Sequence, residues 1–312
     1  MQSILVTGGA GFIGARLVRR LVETGHAVSV LALPKTDLSR IKDLVPKLQI
    51  LEGDLTDHEG LEAIVKNANP SGVFHLAVSN MQSGVAAPDE EVIRNNLVGT
   101  VNLLAALQPI DYQFFINTGS FLEYGMRADR ASQQESDRCE PAELYSITKL
   151  AATLYGQMLA RREGKPIITL RIFSPYGPGM QRGRLLEALI ARARNDEDIP
   201  MTEPKVTRDF IFVEDIVDLY LEAMERAKEL KGEIYNAGTG VQTTLQELAD
   251  LVLQTTGSKS KVQWNALPRV SYDRALWQAD MTKTFTQFKW RPKHSVEEGV
   301  MKTIEFVRRE RS

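Results

Sequence analysis

Tyr145 and Lys149 stand four residues apart in a stretch with helical patterning, from about residue 143 to residue 162. Side chains at that spacing share one face of a helix. A phenol has a pKa of about 10, so it serves as a base at neutral pH only where a nearby positive charge stabilises the phenolate. Lys149 would supply that charge. Because this spacing also occurs on ordinary helix surfaces, the pair alone leaves both interpretations open.

Ser120 follows a short apolar run at 114–117 that predicts a strand. Its hydroxyl would hydrogen-bond the same substrate oxygen whose proton Tyr145 moves. The three residue types together therefore favour a catalytic interpretation over a chance arrangement on a helix surface.

A glycine-rich loop near the start of the chain would position a partner for this chemistry. An apolar run at 4–6 leads into Gly8, Gly9, Gly11 and Gly14, and apolar residues then recur at helical spacing from Phe12 onward. Glycines let the main chain approach a pyrophosphate, and free N–H groups at the helix start would hold the phosphates. An ordinary glycine-rich turn is the alternative, but the strand and helix on either side favour dinucleotide binding.

Short apolar strands alternate with helical patterns through the first half of the chain. The predicted strands are 28–31, 48–51, 73–76, 114–117 and 167–172. Continuously apolar strands in such an order predict an α/β fold with a parallel sheet covered on both faces, whose ligands gather at the carboxyl ends of the strands. Past residue 172 the pattern loosens. We therefore expect a dinucleotide-binding domain at 1–172 and mainly a substrate lobe at 173–312, with 209–228 returning to the first domain.

Within the second half the patterning predicts helices at 185–194, 214–228, 241–256 and 294–309, and largely irregular structure at 258–291. A net charge of −2 over 312 residues gives no basic excess for nucleic acid or a membrane surface. No apolar run approaches the roughly 20 residues of a membrane span, and Met1 leads directly into the first strand, so a cytoplasmic protein is expected. Cys139 excludes an internal disulfide because it is the only cysteine, and the four histidines lack metal-ligand spacing, so no metal site is expected.

Several motifs carry a family resemblance. They are Thr7-Gly8-x-x-Gly11-x-x-Gly14, Asp54-Leu55, His75-Leu76-Ala77, Asn96-x-x-Gly99-Thr100, Ser120, Tyr145-x-x-x-Lys149, Arg171-x-Phe173-x-x-Tyr176-Gly177-Pro178-Gly179 and Arg208-Asp209-Phe210. In order and spacing they resemble the extended short-chain dehydrogenase/reductases of the NAD(P)-dependent nucleotide-sugar epimerase, dehydratase and reductase branch. The resemblance implies a Rossmann-type doubly wound parallel sheet with a smaller C-terminal substrate lobe.

The resemblance also implies an oxidoreductase reaction, in which a hydride is exchanged between nicotinamide C4 and a sugar carbon. Tyr145 would move the hydroxyl proton, Lys149 would also hold the nicotinamide ribose, and Ser120 would orient the reacting oxygen. The cofactor contacts implied are Gly8, Gly11, Phe12, Ile13, Gly14, Asp54, Leu55, Ala77 and Lys149. The contacts implied for a nucleotide-diphosphate sugar are Ser79, Thr118, Ser174, Arg184, Arg208 and Arg269. For Asp54 a simple turn role is equally compatible with the preceding glycine.

Three departures from the family pattern bear on the reaction. Ala32 replaces the acidic residue that many NAD-using relatives carry after the second strand, and Lys35 and Arg40 follow it, which favours NADP; Asp37 nearby keeps NAD possible. Phe121 and Leu122 stand where sugar 4,6-dehydratases carry an Asp-Glu pair, so dehydration is not expected.

Ser174 replaces a common asparagine, which leaves the local sugar contacts open. The loop from Ser120 to Gly125 resembles the Glu-Tyr-Gly loop of some reductases of 4-keto-6-deoxy sugar nucleotides, although Glu123 would equally serve a structural role.

The leading hypothesis is NADP(H)-linked reduction of a nucleotide-linked 4-keto-hexose, with Tyr145 as the acid. The alternatives are an NAD-dependent nucleotide-hexose 4-epimerase and a catalytically inactive dinucleotide-sensing module. Relatives pair as homodimers through helices that correspond to 89–107 and 143–162. Apolar residues that would form this seam, or equally the core, are Val92, Leu103, Leu107, Leu154 and Met158.

Overall fold

The computed structural model describes residues 1–79, 81–82, 85–125, 132–268 and 277–309. The chain forms two compact units. The first comprises Met1–Glu123, Glu143–Arg171 and Val217–Tyr235, and the second comprises Tyr124–Ala142, Ile172–Ile216 and Asn236–Ser312.

This division differs from the boundaries expected from the sequence in several places. Residues 124–142 belong to the second unit, where the Asn236 side chain donates to the Gln133 carbonyl (2.8 Å) and the Asn236 amide donates to Glu135 (2.8 Å). Residues 209–216 also stay in the second unit, because the strand at 210–212 pairs with the strand at 174–176. The returning segment is Val217–Tyr235 rather than 209–228.

The elements follow one another in chain order. In the first part of the chain they are β1 (Ser3–Thr7), α1 (Phe12–Glu23), β2 (Ala27–Ala32), β3 (Leu48–Glu52), α2 (His58–Ala68), β4 (Gly72–His75), β5 (Met81–Gln82), β6 (Val85–Ala86), α3 (Asp89–Ile93), α4 (Gly99–Ala106), β7 (Phe115–Ser120), α5 (Leu144–Glu163) and β8 (Ile167–Ile172). They continue with β9 (Ser174–Tyr176), α6 (Leu185–Arg194), β10 (Ile199–Pro200), β11 (Thr207–Arg208), β12 (Phe210–Phe212), α7 (Val213–Arg226), β13 (Ile234–Ala237), β14 (Thr243–Thr244), α8 (Leu245–Thr256), β15 (Val262–Gln263), α9 (Thr282–Gln287) and α10 (Val296–Arg309).

A seven-stranded sheet has the order β13-β8-β7-β4-β1-β2-β3. Strand β1 is parallel to both of its neighbours, β2 and β4, so the winding of the chain reverses between β1 and β4. Ile4, Leu5 and Val6 in β1 are fully buried, as expected for a sheet covered on both faces. These observations confirm the expected Rossmann-type doubly wound α/β fold and place its ligand-binding edge at the carboxyl ends of these strands.

The predicted helix at 89–107 is interrupted in the structure. A π-helical turn at Arg94–Val98 separates α3 from α4. Leu103 and Leu107 belong to the core of the first unit, and Val92 is 5% exposed. These three residues therefore pack inside the unit and are not available for the dimer seam, whereas Leu154 and Met158 on α5 are exposed.

Helices α6, α8 and α10 share the core of the second unit. The helix predicted at 241–256 begins later, at Leu245, because Thr244 and Glu247 form a reciprocal cap at its start. The stretch 258–291, predicted to be irregular, contains β15 and α9 among its described residues. No helix in the described part of the chain is long and apolar enough to cross a membrane.

Candidate active site

The glycine-rich loop between β1 and α1 requires its glycines for two different reasons. Gly8 has φ +69°, and a Cβ there would lie 2.7 Å from the Ala77 amide nitrogen. A Cβ at Gly14 would collide with the Gly8 carbonyl oxygen. The loop therefore packs against the end of β4 on one side and against the first turn of α1 on the other.

Helix α1 begins at Phe12, after Gly11 as its N-cap, and no side chain caps it and no acidic residue lies in its first turn. The N–H groups of Phe12, Ile13 and Gly14 have no acceptor within the helix and stand at its positive end. This bare, glycine-lined turn fits the pyrophosphate of a dinucleotide.

His75 links this loop to α4 through a directional chain of hydrogen bonds. The Thr100 hydroxyl donates to the Asn96 carbonyl (2.7 Å), so it accepts from His75 Nε2 (2.9 Å). His75 Nδ1 then accepts from the Thr7 hydroxyl (2.7 Å), which itself accepts from the Ala77 amide (3.2 Å). Burial, and secondarily the charge of Lys149, lowers the pKa of His75 to about 3, so the ring is neutral. The histidine holds the residue before Gly8 in place.

Asn96 lies in the π-helical turn and connects the end of β4 to α5. Its amide accepts from the Ser79 backbone N–H (2.8 Å) and donates to the Ser79 carbonyl (2.9 Å) and to Thr148 Oγ1 (3.2 Å). The Ser79 hydroxyl donates to Glu91 (2.6 Å) and accepts from Asn95 (2.9 Å). Ser79 is thus bound into the fold, and its proposed substrate contact stays a prediction.

Ser120 is the last residue of β7 and is 6% exposed. Its Oγ accepts a hydrogen bond from the Leu122 amide (3.2 Å), and its own amide donates to Glu123 Oε1 (2.8 Å). Within the described residues no group accepts the hydroxyl proton of Ser120. The hydroxyl is therefore ready to donate to an oxygen from outside the protein.

Lys149 is 3% exposed on α5, one turn beyond the half-buried Tyr145. Helix α5 begins at Leu144, and the Ser146 hydroxyl donates to the Glu143 carbonyl (2.8 Å) at its start. Burial lowers the pKa of Lys149 to about 8, and the negative charge of Glu123 opposes that change. Among the described residues none accepts a hydrogen bond from the Lys149 ammonium, which leaves its donors for a ribose and for Tyr145.

A buried ion pair lies next to these residues. Glu123 Oε2 accepts from Arg171 Nε at 2.9 Å, and the two side chains are 0% and 2% exposed. The backbone of Gly119 touches this pair, since a Cβ there would lie 2.7 Å from Glu123 Oε1. Sequence reasoning missed this pairing, because its partners are 48 residues apart and belong to different motifs.

Thr118, two residues before Ser120, has a partner that the sequence did not reveal. Its hydroxyl lies 2.6 Å from the Tyr220 hydroxyl on α7. Tyr220 is fully buried, and burial raises the pKa of its phenol. The only sequence signal for Tyr220 is its place in an amphipathic helix, which equally describes a core residue. The expected substrate contact of Thr118 stays a prediction.

The end of β2 carries the residues expected to select the cofactor. The strand ends at Ala32, and Lys35 (φ +66°) and Arg40 lie exposed on the loop and short helical turn that follow. The Asp37 carboxylate accepts from the Ser39 amide (2.9 Å) and hydroxyl (3.0 Å). These hydrogen bonds lower the pKa of Asp37, and the bond from the Ser39 amide has the largest effect.

Asp54 and Leu55 follow β3 at the same edge of the sheet. Asp54 Oδ1 accepts from the Thr56 amide (2.8 Å), which is the turn role that the sequence left open. Leu55 is 9% exposed and packs against Gly99 at the start of α4. Contact of either residue with an adenine stays a prediction.

The residues expected to bind substrate outside the first unit lie on separate elements of the second. Arg208 ends β11, Ser174 begins β9, and Arg184 precedes α6, where its guanidinium lies 3.4 Å from Gln181 Oε1. Arg269 lies outside the described residues. Three of these four residues thus lie in the described part of the second unit, and their substrate contacts stay predictions.

Asp209, next to Arg208, is a residue whose role the sequence did not show. Its fully buried carboxylate accepts hydrogen bonds from the Thr239 amide and hydroxyl (both 2.7 Å), the Gly240 amide (2.9 Å) and the Ala279 amide (3.0 Å). Burial raises the pKa of Asp209 although these bonds oppose the change. Asp209 therefore fixes the backbone that carries Arg208.

Comparisons with known proteins agree with this fold. The chain belongs to the NAD dependent epimerase/dehydratase family, which matches residues 4–238, and it is an enzyme of the extended short-chain dehydrogenase/reductase type, as the motifs predicted. A UDP-glucose 4-epimerase from Thermotoga maritima, solved with UDP-glucose, has a TM-score of 0.91 at 28% identity and covers 99% of each chain.

Two further relatives widen the comparison. The Thermus thermophilus UDP-glucose 4-epimerase, solved with NAD, has a TM-score of 0.84 at 26% identity over 98% of each chain. The CDP-abequose synthase of Salmonella muenchen is 24% identical over 304 residues, which is 97% of each chain.

Proposed function

We propose that the protein catalyses NADP(H)-linked reduction of a nucleotide-linked 4-keto-hexose. The observation that carries the proposal is the state of two groups: a Ser120 hydroxyl at the end of β7 with no described acceptor for its proton, and a buried Lys149 ammonium on α5 with no described acceptor. With Tyr145 one helical turn away, they suit protonation of a carbonyl oxygen as a hydride reaches its carbon.

Each residue has a distinct task in this reaction. Ser120 donates to the C4 carbonyl oxygen and holds it near Tyr145. Tyr145 transfers its phenolic proton to that oxygen, and Lys149 stabilises the phenolate that remains. A nicotinamide dinucleotide, when bound, would supply the hydride. Phe121 and Leu122 have no proton to move, so water is not eliminated from the sugar.

For the cofactor we propose NADP. Ala32 presents no carboxylate at the end of β2, and Lys35 and Arg40 place two exposed cations after it. Both carboxylate oxygens of Asp37 accept hydrogen bonds from Ser39, which hold this anion against its own turn. These features favour a 2′-phosphate on the adenosine ribose.

For the substrate we propose a nucleoside-diphosphate sugar whose diphosphate is bound by Arg208 in the second unit. The firm attachment of the neighbouring Asp209 to Thr239, Gly240 and Ala279 supports a fixed position for this arginine.

The test is an assay of the purified protein with 4-keto-hexoses linked to uridine, cytidine, guanosine or thymidine diphosphate. We expect NADPH to be oxidised with at least one of them, and faster than NADH. A nucleotide-hexose 4-epimerase is the second candidate, favoured by the similarity to the Thermotoga maritima enzyme. Interconversion of two hexoses without added NADPH, by protein carrying tightly bound NAD, would overturn the reductase proposal.

We also propose a homodimer formed by the exposed face of α3, the π-helical turn and α5. The large apolar side chains of this face have exposed fractions of 38–54%. They are Ile93, Val98, Ile147, Leu154 and Met158. Leu154→Glu should shift the mass measured by light scattering from dimer to monomer, whereas Leu267→Glu, another exposed leucine, should not. A wild type that is monomeric at every concentration contradicts this proposal.

A further inference from the structure

Resting on the proposed function, we propose that Glu123 is a positioning residue of the catalytic site. Its buried carboxylate fixes the Ser120 turn and supplies the negative charge that keeps Lys149 cationic, while Arg171 anchors the carboxylate from the next strand.

The geometry gives each oxygen of Glu123 one task. Oε1 accepts a hydrogen bond from the Ser120 amide (2.8 Å), which lies three residues earlier in the chain. A short helical turn at Phe121–Tyr124 follows Ser120 directly. Oε2 accepts from Arg171 Nε (2.9 Å) on β8. The Ser120 hydroxyl in turn accepts from the Leu122 amide, within the same turn. The position of the hydroxyl therefore depends on a turn that the carboxylate closes.

Burial makes the charge of Glu123 effective over a distance. The carboxylate is 0% exposed and the guanidinium 2% exposed, so water screens neither of them. A buried carboxylate needs a compensating cation, and Arg171 meets it at hydrogen-bond distance. Arg171 offsets part of the carboxylate charge and fixes its position, and the remaining charge opposes the loss of the Lys149 proton.

Among the described residues, the other titratable groups on the elements around Lys149 do not supply this charge. His75, on β4, is neutral because burial lowers its pKa to about 3. Tyr145 lies on α5 itself and is the group that Lys149 serves, and Tyr220 on α7 stays protonated because burial raises its pKa. Glu123 is the group whose charge opposes the loss of the Lys149 proton.

The sign of the effect follows from these observations. Burial lowers the pKa of Lys149 to about 8, close to working pH, and Glu123 opposes this. Glu123→Gln retains a carbonyl oxygen for the Ser120 amide but removes the negative charge that balances the buried Arg171 cation, and both changes disfavour a cationic Lys149. Lys149 then loses its proton at lower pH, and Tyr145 loses the cation that stabilises its phenolate. We expect the alkaline limb of the kcat profile to move down by about one pH unit.

The decisive experiment compares Glu123→Gln with two other variants. Asp218→Asn breaks the ion pair of Asp218 with Arg20 (2.7 Å) in the same unit, so it should cost stability and leave the pH profile in place. Glu123→Asp keeps the charge but shortens the side chain, so it should lower kcat and keep the limb within about 0.3 pH unit of wild type.

A second readout does not depend on turnover. The rate at which an amine-specific reagent labels Lys149, followed by peptide mass spectrometry against pH, reports the neutral amine directly. Its midpoint should fall in Glu123→Gln and stay in Asp218→Asn. If Glu123→Gln does not fold, Glu123→Asp must keep the wild-type midpoint, and a lowered midpoint in that variant would overturn the proposal.

An unshifted profile and labelling midpoint in folded Glu123→Gln would show that Glu123 only supports the fold. Failure of the proposed function has a different signature. In that case the wild type oxidises no NADPH with any 4-keto-hexose, while the labelling of Lys149 still responds to Glu123.

Discussion

Charged side chains stand at two places in the first unit, and solvent makes them behave differently. After β2, Lys35 and Arg40 are exposed, and the carboxylate of Asp37 accepts a hydrogen bond from the nearby Ser39. After β7, Glu123 and Arg171 are almost completely buried and bonded to each other. Water and salt screen exposed charges, so an exposed charged residue can be replaced at small cost. The charges of a buried pair interact strongly, and loss of one partner leaves the other uncompensated.

The two strand ends therefore differ in how strongly their charged residues depend on one another. Under the proposed function, surface charges at the β2 end would set cofactor preference at small cost to the fold. At the β7 end, hydrogen bonds join Ser120, Glu123 and Arg171 into one structure, so a change in one of them affects the others. The following predictions test that contrast, starting with the largest effect.

Tyr145→Phe should lower kcat by at least about 100-fold, because it removes the group that transfers the proton. Binding of the dinucleotide, measured by fluorescence titration, should be retained. Tyr155→Phe on the same helix is the matched control and should change kcat by less than about threefold. Equal activity of Tyr145→Phe and wild type would remove Tyr145 from the mechanism.

Gly8→Ala should weaken dinucleotide binding and lower the melting temperature. The new Cβ would meet the Ala77 amide at 2.7 Å and would also occupy a left-handed backbone conformation. The conformation alone costs about 1–2 kcal/mol, and the collision adds to it. Gly25→Ala separates the two costs, since Gly25 has φ +81° but nothing within 4 Å. If both variants lose the same stability and bind the dinucleotide equally, the loop is not tightly packed against β4.

The free energy of unfolding should decrease in mild acid because His75 is buried in its neutral form. In the unfolded chain a histidine takes up a proton near its ordinary pKa of 6.5, whereas folded His75 remains neutral down to about pH 3. Stability is therefore lost as pH falls below 6.5, on the order of 1–2 kcal/mol between pH 7 and pH 5. Urea unfolding of His75→Gln should show a smaller dependence on pH, while the exposed His58→Gln should follow the wild type. A His75→Gln slope equal to that of wild type would be inconsistent with the buried neutral ring.

Lys35→Glu should have the smallest effect, confined to the cofactor. We expect the ratio of kcat/KM for NADPH to that for NADH to fall by about tenfold, because an anion replaces an exposed cation that we propose to contact the 2′-phosphate. Lys42→Glu, also exposed, should leave the ratio within about twofold. If both substitutions change the ratio equally, the change comes from the overall charge of this surface and not from a specific contact of Lys35.

The sequence predicted the parts of this fold that depend on neighbouring residues. The strand at 167–172 and the helix at 185–194 have the predicted bounds, because their apolar periodicity and their ends are local signals. The glycine loop was recognised for the same reason.

Other features depend on residues far apart in the chain. The pairing of Glu123 with Arg171 crosses from one strand end to another, and the partner of Thr118 is Tyr220, 102 residues later. Leu103 and Leu107 have the same apolar character as Leu154, and only the packing of the helices decides which of them are buried. Periodicity identifies an apolar face but not what covers it.

The π-helical turn at Arg94–Val98 constrains the length of the chain as well as its sequence. A π-turn accommodates one residue more than a regular α-helix, and each residue of a helix rotates the next by about 100°. Deleting one residue here would let α3 and α4 merge into a regular helix, but it would turn the Asn96 amide away from Ser79 and Thr148. We therefore expect this helix to tolerate many substitutions on its outer face and no single-residue deletion.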